Sequence, residues 1–388
     1  MKEVIAVRTT TDNIKKSGPF KNIEAPDASL LVSVIVPMRN EARHIRKTLD
    51  ALRCQTDQEG VLIPYRMYEV LVLANNCTDR SFEIALNYKK KYPSFRLHVA
   101  NISLAGNKAN IGTVRKILMD EACQRLTTIG NLKGIIASTD SDSQVDSKWV
   151  YQIIQEIAKG CDAVGGRILT KSNRDMARLY HLRDVTYRIL ASKMESLIDP
   201  IVHDPWPRHF QYFGASLAVT CQTYKKCGGL PQVPYLEDMA FYNSLLKVDA
   251  RVRMSPEVKV MTSTRMNGKV EIGFSEQLRE WRKKKIKNIP QYVESADSLM
   301  NKFVNRQMLR NCWKQYQETK TLDAECIKLI AKNLFITQSF LGKQMIDNTY
   351  FGTLWQKVEK KLEDRDWYRH WPHEPITEAI EKLKQFIY

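Results

Sequence analysis

Two carboxylates lie two residues apart just after a short apolar run in the middle of the chain. Residues 135–137 are apolar, and Asp140, Ser141 and Asp142 follow them. On a strand, residues i and i+2 point to the same side, so both aspartates would face one cation where the strand ends. Carboxylates and substrate phosphates supply the oxygen ligands of Mg²⁺ and Mn²⁺ sites. The pattern therefore favours a divalent metal and a nucleotide diphosphate, although two aspartates also occur in solvated turns.

The overall composition is that of a globular protein with an excess of positive charge. Of the 388 residues, 43% are hydrophobic and 27% are charged, which argues against global disorder. The formal net charge of +17 favours anionic partners, among them nucleotides, phosphorylated acceptors, anionic lipid and nucleic acid. The eight cysteines form no zinc-spaced cluster, which suits free thiols in a reducing compartment. Because neither a secretory signal nor an apolar run of eighteen residues is found, a cytoplasmic protein is expected.

Apolar runs alternate with helical periodicity along the first part of the chain. The alternating elements are strands at 31–37, 68–74 and 95–99 and helices at 40–53, 81–90 and 107–127. This alternation predicts an α/β fold, with a mostly parallel sheet flanked by helices on both faces. Ligands of such sheets bind at the carboxyl ends of the strands, where residues 37–41, 75–79 and 140–142 fall.

Three regions are predicted along the chain. Residues 1–30 show turn signals and little periodic apolar pattern, so they are expected to form a tail or a loosely packed strap. Residues 31–268 form the main α/β domain. Residues 269–388 have a helical pattern, and this region either shapes the acceptor side of a site or makes a homodimer.

Four motifs together resemble the family 2 glycosyltransferases in their order and spacing. They are residues 36–41, residues 75–79, the Asp140/Asp142 pair and residues 236–239. The resemblance covers about residues 31–265. It implies a Rossmann-like GT-A fold that transfers a sugar, with inversion, from a nucleotide-diphosphate sugar. Processive members of the family use transmembrane spans that this sequence lacks, so a soluble enzyme that moves one sugar at a time is expected.

The resemblance assigns the first loops to the donor nucleotide. The nucleotide-sugar-binding residues it implies are Pro37, Arg39, Asn40, Glu41, Asn76, Asp79, Lys108, Asp140, Ser141 and Arg265. Helix capping is the alternative role for Asn40, Glu41 and Asp79, and a surface role is the alternative for Lys108 and Arg265. The commoner family form has an aspartate where this chain has an asparagine in residues 75–76, so the base stays open, with a UDP-sugar favoured.

An inverting transfer needs a carboxylate that takes the proton of the acceptor hydroxyl as it attacks. By resemblance this base is Asp238, with Glu237 second, and the alternative is that both acids stabilise the start of a helix. The acceptor-side residues implied by the resemblance are Gly214, Ala215 and Ser216. His203 and His209 are candidates for a third metal ligand, and neither is assigned.

The expected function is therefore an inverting, metal-dependent sugar transfer to an unidentified acceptor. Asp142 and Asp140 would bind Mn²⁺ or Mg²⁺, which supports the leaving diphosphate. One alternative is a sugar-phosphate nucleotidyltransferase, although the first strand is not followed by a glycine-rich basic phosphate loop. Another is a non-catalytic nucleic-acid-binding protein, but the basic residues are dispersed, so nucleic acid is not the expected partner. For the basic segment 281–287, contact with an anionic membrane or a phosphorylated acceptor is the alternative to a solvated helix face.

Overall fold

Eight strands form a mixed sheet at the centre of the computed structural model, which describes residues 18–170, 178–262, 274–363 and 367–388. The strands are β1 (Val32–Met38), β2 (Tyr68–Asn75), β3 (Leu97–Ile102), β4 (Ile135–Ser138), β5 (Gln144–Val145), β6 (Ala163–Thr170), β7 (Leu217–Thr220) and β8 (Val252–Thr262). Their order in the sheet is β3-β2-β1-β4-β7-β6-β8-β5. Strands β1 to β4 pair in parallel, whereas β7 pairs antiparallel with both β4 and β6. The predicted α/β class with a mostly parallel sheet is confirmed.

Helices cover both faces of this sheet and make up most of the C-terminal region. They are α1 (Ile45–Arg53), α2 (Ser81–Lys91), α3 (Ile111–Thr128), α4 (Trp149–Ala158), α5 (Arg178–Ile198), α6 (Cys221–Lys226), α7 (Glu237–Lys247), α8 (Phe274–Ile286), α9 (Ala296–Thr319), α10 (Ala324–Asn333), α11 (Gln338–Asp347), α12 (Phe351–Glu363), α13 (Trp367–His370) and α14 (Ile376–Ile387). Helices α1, α2 and α4 pack on one face, and α3, α6 and α7 pack on the other. Because both faces are covered, every residue of β1 is buried, with Val34 and Ile35 in opposite cores.

The first helix begins later than its sequence pattern predicts. The pattern places its start at residue 40, whereas α1 starts at Ile45. Asn40 has φ +53°, a left-handed conformation that asparagine tolerates better than most residues and that a helix excludes. The segment between β1 and α1 is therefore a loop, and this loop lies at the edge of the sheet where ligands are expected.

The described part of the N-terminal segment packs on the main domain. Phe20 is fully buried in the core beside α3. Asp27 forms an ion pair with Arg96, with 2.8 Å between Oδ2 and Nη2, and the Glu24 carbonyl accepts a 2.9 Å hydrogen bond from Arg125. Residues 18–30 are thus a strap fixed to the domain, while residues 1–17 lie outside the described residues.

The C-terminal region is helical, as predicted, and it is tied to the main domain by charge pairs and by a helix cap. Arg306 on α9 pairs with Glu195 and Asp199 on α5, at 2.7 and 2.6 Å. The carboxylate of Asp249 accepts the backbone N–H groups of Phe351 and Gly352, where α12 begins. A short antiparallel pair, β9 (Tyr292–Val293) with β10 (Glu374–Pro375), closes this region. The predicted boundary at 268/269 lies outside the described residues.

Two further observations concern the chain as a whole. None of the helices in the described ranges is long and apolar enough to span a lipid bilayer. All eight cysteines are free thiols.

Candidate active site

The loops after β1 and β2 are joined at the carboxyl edge of the sheet. The Asn40 Oδ1 atom accepts the backbone N–H of Thr78 at 2.7 Å, and its Nδ2 donates to the Thr78 hydroxyl at 3.1 Å. Asp79 accepts the backbone N–H groups of Ala42 and Ser81, at 3.1 and 3.0 Å. These side chains therefore hold the two predicted nucleoside-binding loops together, and Asp79 also binds the backbone N–H of the first residue of α2.

The loop before α3 reaches the same edge. Arg39 donates from Nη1 to the Ala109 carbonyl at 3.2 Å. Asn76 has a left-handed backbone conformation, with φ +47°. Its side-chain amide makes two hydrogen bonds of 3.0 Å, one with the carbonyl and one with the N–H of Leu104. Lys108 is exposed in a single turn of 3₁₀ helix that precedes α3. The structure thus brings the first three predicted nucleotide-binding loops together.

A buried guanidinium connects the Asp140/Asp142 region to the predicted catalytic acids. Arg115 on α3 donates from Nη2 to Asp140 Oδ1 at 2.7 Å and from Nη1 to Glu237 Oε1 at 2.6 Å. The side chains of Arg115 and Glu237 are each 6% exposed, whereas Asp140 retains 36% of its side-chain exposure. Asp140 and the first residue of α7 are therefore held by one cation.

Arg115 was not predicted from the sequence. It lies on the same side of α3 as Val114, Leu118 and Ala122, which are all buried. A cation on the apolar face of a helix needs buried partners, and that is the only signal the sequence offers. Its partners are 25 and 122 residues away, so the pairing follows from the fold alone.

Gly214 occupies the centre of the arrangement on the predicted acceptor side. Its N–H donates to Asp238 Oδ2 at 3.0 Å, and its carbonyl accepts the Ser138 hydroxyl at 2.8 Å. A Cβ atom at this position would lie 1.9 Å from Arg115 Nη1. Only glycine therefore allows the backbone to approach the guanidinium and to contact the predicted base.

Asp238 is more accessible than the acid that precedes it. Glu237 is 5% exposed and bound to Arg115, whereas Asp238 is partly exposed. The Oδ1 atom of Asp238 accepts the N–H of Met239 at 2.8 Å. Leu236 has φ +56°, an uncommon conformation for leucine that turns the chain into α7. This geometry favours Asp238 over Glu237 as the residue that meets an acceptor.

The other predicted acceptor-side residues are buried. Ala215 is 7% exposed and Ser216 is 1% exposed. The Ser216 hydroxyl accepts the Trp149 indole N–H at 3.0 Å. Ser216 thus fixes the turn from the core side, and Gly214 is the member of the three that contacts the predicted base.

The acidic side chains influence one another electrostatically. Burial raises the pKa of Asp140 to about 6, and the charges of Asp142, Asp238 and Glu237 act in the same direction. The neighbouring Arg115 opposes this rise in the pKa. These four acids are therefore close enough to repel one another, and a further cation at Asp140 and Asp142 would relieve the repulsion.

The residues present fit a divalent cation that also binds a substrate. Asp140 and Asp142 are both partly exposed, and one of the Asp140 oxygens already accepts a hydrogen bond from Arg115. Within the described ranges, no three histidine, cysteine or acidic side chains are grouped to hold a metal by themselves. Two carboxylates completed by diphosphate oxygens and water suit Mg²⁺ or Mn²⁺.

His203 and His209, the two candidates for a third metal ligand, are not grouped with these acids in the part of the chain that the structure describes. His209 is 3% exposed, and its Nε2 atom lies 3.2 and 3.1 Å from the carbonyls of Gly165 and Ser255. Burial lowers the pKa of His209 to about 4 and also lowers the pKa of His203. Arg265 lies outside the described residues.

Comparison with known proteins finds one family model and two relatives that match part of the chain. Residues 33–215 match the model of the glycosyl transferase family 2. Glycosyltransferase AglE of Haloferax volcanii is 30% identical over 139 residues, which are 35% of this chain and 39% of that protein. Dolichyl-phosphate beta-glucosyltransferase of Drosophila melanogaster is 32% identical over 100 residues, which are 26% of this chain and 30% of that protein. The aligned parts thus span well under half of either relative.

One solved structure aligns with most of the chain. S. aureus TarS 1–349 in complex with UDP-GlcNAc has a TM-score of 0.45 and 15% identity, over 88% of this chain and 93% of that one.

Acidic side chains gather at the carboxyl edge of the α/β sheet, and residues 33–215 are similar to glycosyltransferases. Three of the four motifs from which the resemblance was drawn lie within residues 33–215, and the family match confirms the resemblance over that range.

Proposed function

We propose that the chain is an inverting, metal-dependent glycosyltransferase that moves a single sugar from a nucleotide-diphosphate sugar to an acceptor hydroxyl. The observation that carries this proposal is the series of contacts around Arg115. This guanidinium holds Asp140 on the donor side and Glu237 at the start of α7, and Gly214 packs against it while contacting Asp238. A donor acid and a candidate base therefore line one site.

On the donor side, the joined loops after β1 and β2 would bind the nucleoside. Asp140 and Asp142 would hold Mn²⁺ or Mg²⁺ against the diphosphate. Such a cation supplies charge neutralisation on the leaving group. We propose a UDP-sugar as the donor to test first, on the basis of the motif resemblance.

On the acceptor side, Asp238 would act as the general base. Its two oxygens accept backbone N–H groups from Gly214 and Met239, which fix the carboxylate and stabilise its charge. Each carboxylate oxygen has a second lone pair, so Asp238 can still accept a hydrogen bond from the hydroxyl group of the sugar acceptor. The proton passes to Asp238 as the hydroxyl oxygen bonds the anomeric carbon, and the bond from that carbon to the diphosphate breaks. Attack opposite the leaving group inverts the anomeric configuration.

The experiment uses the full chain and needs no knowledge of the acceptor. Thermal shifts with UDP-, GDP- and dTDP-sugars, with and without Mn²⁺, identify the donor. Slow hydrolysis of that donor is then followed by NMR, with water as the acceptor. We expect release of a nucleoside diphosphate and a first-formed sugar of inverted anomeric configuration. Retained configuration would refute inversion. Release of pyrophosphate from a nucleoside triphosphate and a sugar 1-phosphate, in a separate assay without nucleotide sugar, would indicate a nucleotidyltransferase.

A further inference from the structure

Helix α8 is anchored on one side and exposed on the other. Leu278 and Trp281 pack against Tyr180 of α5, and the Trp281 ring stacks on His181 with 5.6 Å between ring centroids. The Tyr180 hydroxyl donates to the Ile289 carbonyl at 2.9 Å. These contacts fix the segment that follows α8 beside the N-terminal half of α5, and they leave the outer side of both segments facing solvent.

The outer side of α8 has a concentrated positive charge. Residues 281–293 include five basic side chains and no acidic one. Four of the five are exposed: Arg282, Lys283, Lys285 and Lys287. Lys283 pairs with Glu280 one turn earlier, at 2.7 Å. Residues 279–293 include six basic side chains and one acidic side chain, Glu280, so the formal charge of this segment is strongly positive.

Large apolar side chains are exposed beside these charges. Ile286 is 65% exposed, Ile289 is 43% exposed and Tyr292 is 60% exposed. We call the exposed basic and apolar residues of 282–292 the basic–apolar face.

We propose that the basic–apolar face docks on an anionic lipid bilayer. Lysine and arginine near an anionic membrane surface are attracted by its negative potential. Isoleucine and tyrosine side chains gain by entering the boundary between headgroups and acyl chains. The aliphatic side chains favour this partner over nucleic acid, because a phosphate backbone with its bases offers stacking and charge but no apolar layer.

The contribution of the basic side chains to membrane binding is tested with lipid vesicles and the full chain. Co-sedimentation is measured with phosphatidylcholine vesicles and with 3:1 phosphatidylcholine:phosphatidylglycerol vesicles, at low and high NaCl. We expect binding to the anionic vesicles only, weakened by salt. The variant K283Q/K285Q/K287Q should bind roughly a hundredfold more weakly, at about fivefold for each charge. The matched control K89Q/K90Q/K91Q removes three exposed charges from the end of α2 and should bind nearly as the unaltered chain does.

The contribution of the exposed apolar side chains to membrane binding is tested with a second pair of variants. I286S/I289S should weaken binding to anionic vesicles about tenfold. The control L329S/I346S changes two exposed apolar residues of α10 and α11 and should leave binding unchanged. All four substituted sets are on the surface, so melting temperatures should stay close to that of the unaltered chain.

Three outcomes would overturn the proposal. The first is no binding to anionic vesicles, and the second is an equal loss of binding in the α2 control. The third is salt-sensitive binding to a single-stranded oligonucleotide that K283Q/K285Q/K287Q abolishes while vesicle binding is unchanged, which would assign the face to nucleic acid. These measurements do not use sugar transfer, so they stand or fall separately from the proposed function.

Discussion

At the scale of single residues, Asp140 is the most constrained group of the site. It accepts a hydrogen bond from Arg115 and lies among three other acids, and its pKa is raised to about 6, first by burial. A carboxylate with this pKa is mostly ionised at neutral pH and mostly protonated below pH 6. The donor side of the site should therefore lose its charge in a mildly acidic range.

The first prediction concerns pH and Asp140. The pKa of Asp140 in the folded chain lies above the ordinary value of 3.8, so ionisation of Asp140 destabilises the fold. This destabilisation is complete above pH 6 and absent below about pH 4. Asp140→Asn should therefore melt at the same or a higher temperature than the unaltered chain at pH 7.5, and the difference should vanish near pH 4. Mn²⁺ binding by the unaltered chain should weaken as the pH drops through about 6, because a proton competes with the cation for Asp140. A large loss of thermal stability in Asp140→Asn at pH 7.5 would contradict this account.

The second prediction concerns Arg115, which we regard as a positioning residue. Arg115→Met leaves Glu237 buried without its cation, so the free energy of unfolding should fall by about 3–5 kcal/mol. Arg115→Lys keeps the charge but not the two-armed geometry. It should fold well, with a lower kcat and a nearly unchanged KM for the donor. Melting curves and steady-state kinetics check both variants. An unchanged kcat in Arg115→Lys would show that transfer does not depend on the two hydrogen bonds of the guanidinium.

The contrast between Asp140 and Arg115 shows what could be predicted from the sequence. The Asp140/Asp142 pair is recognisable because both residues and the strand before them are adjacent in the chain. The role of Arg115 depends on Glu237, 122 residues away, and no local pattern encodes that contact. The burial of Ser216 against Trp149 was also not predictable, because a short small-residue turn gives no sign of which side faces the core.

At the scale of elements, the site depends on how closely α3, β4 and the turn before β7 approach one another. Arg115 lies in the second turn of α3, and Gly214 lies in a 3₁₀ turn beside the end of β4. The strand and helix types were predictable from periodicity. The start of α1 was not, because the left-handed Asn40 is stabilised by Thr78 in a different loop.

The third prediction tests this close approach. Gly214→Ala places a Cβ 1.9 Å from Arg115 Nη1 and 2.3 Å from its Cζ. The guanidinium must then move away from Asp140 and Glu237, so kcat should fall at least about tenfold and the melting temperature should drop. The matched control is Gly342→Ala in α11, where the nearest atom would be 3.9 Å away. That control should keep its activity and gain about 0.5–1 kcal/mol of stability. Equal behaviour of the two variants would contradict the packing account.

At the scale of the whole molecule, one buried ion pair joins the sheet to α3 far from the site. Arg125 binds both oxygens of Glu69 on β2, at 2.8 and 2.6 Å, and both side chains are almost fully buried. Burial alone would raise the pKa of Glu69, but the hydrogen bonds and charge of Arg125 lower it to about 2. This pair therefore stabilises the fold above pH 4.5, and the contribution is lost as the pH falls towards 2.

The fourth prediction follows from that pair. Glu69→Gln leaves the Arg125 charge buried without its partner, so the free energy of unfolding at pH 7 should fall by about 3–5 kcal/mol. The control is Glu83→Gln, which breaks an exposed pair with Arg80 on α2 and should cost less than about 1 kcal/mol. Urea unfolding measures both. Similar costs for the two variants would show that burial of the Glu69 pair does not matter.

The most direct test of the central claim is to separate donor binding from transfer in two variants of the same site. Binding of UDP with Mn²⁺ is measured by calorimetry, and transfer is measured with the donor found by thermal shift. Asp238→Asn should bind UDP within about threefold of the unaltered chain and lose about 10²- to 10⁴-fold in kcat. Asp142→Asn should lose most of the Mn²⁺-dependent UDP binding. Near-normal transfer by Asp238→Asn, or unchanged Mn²⁺-dependent binding in Asp142→Asn, would contradict the account.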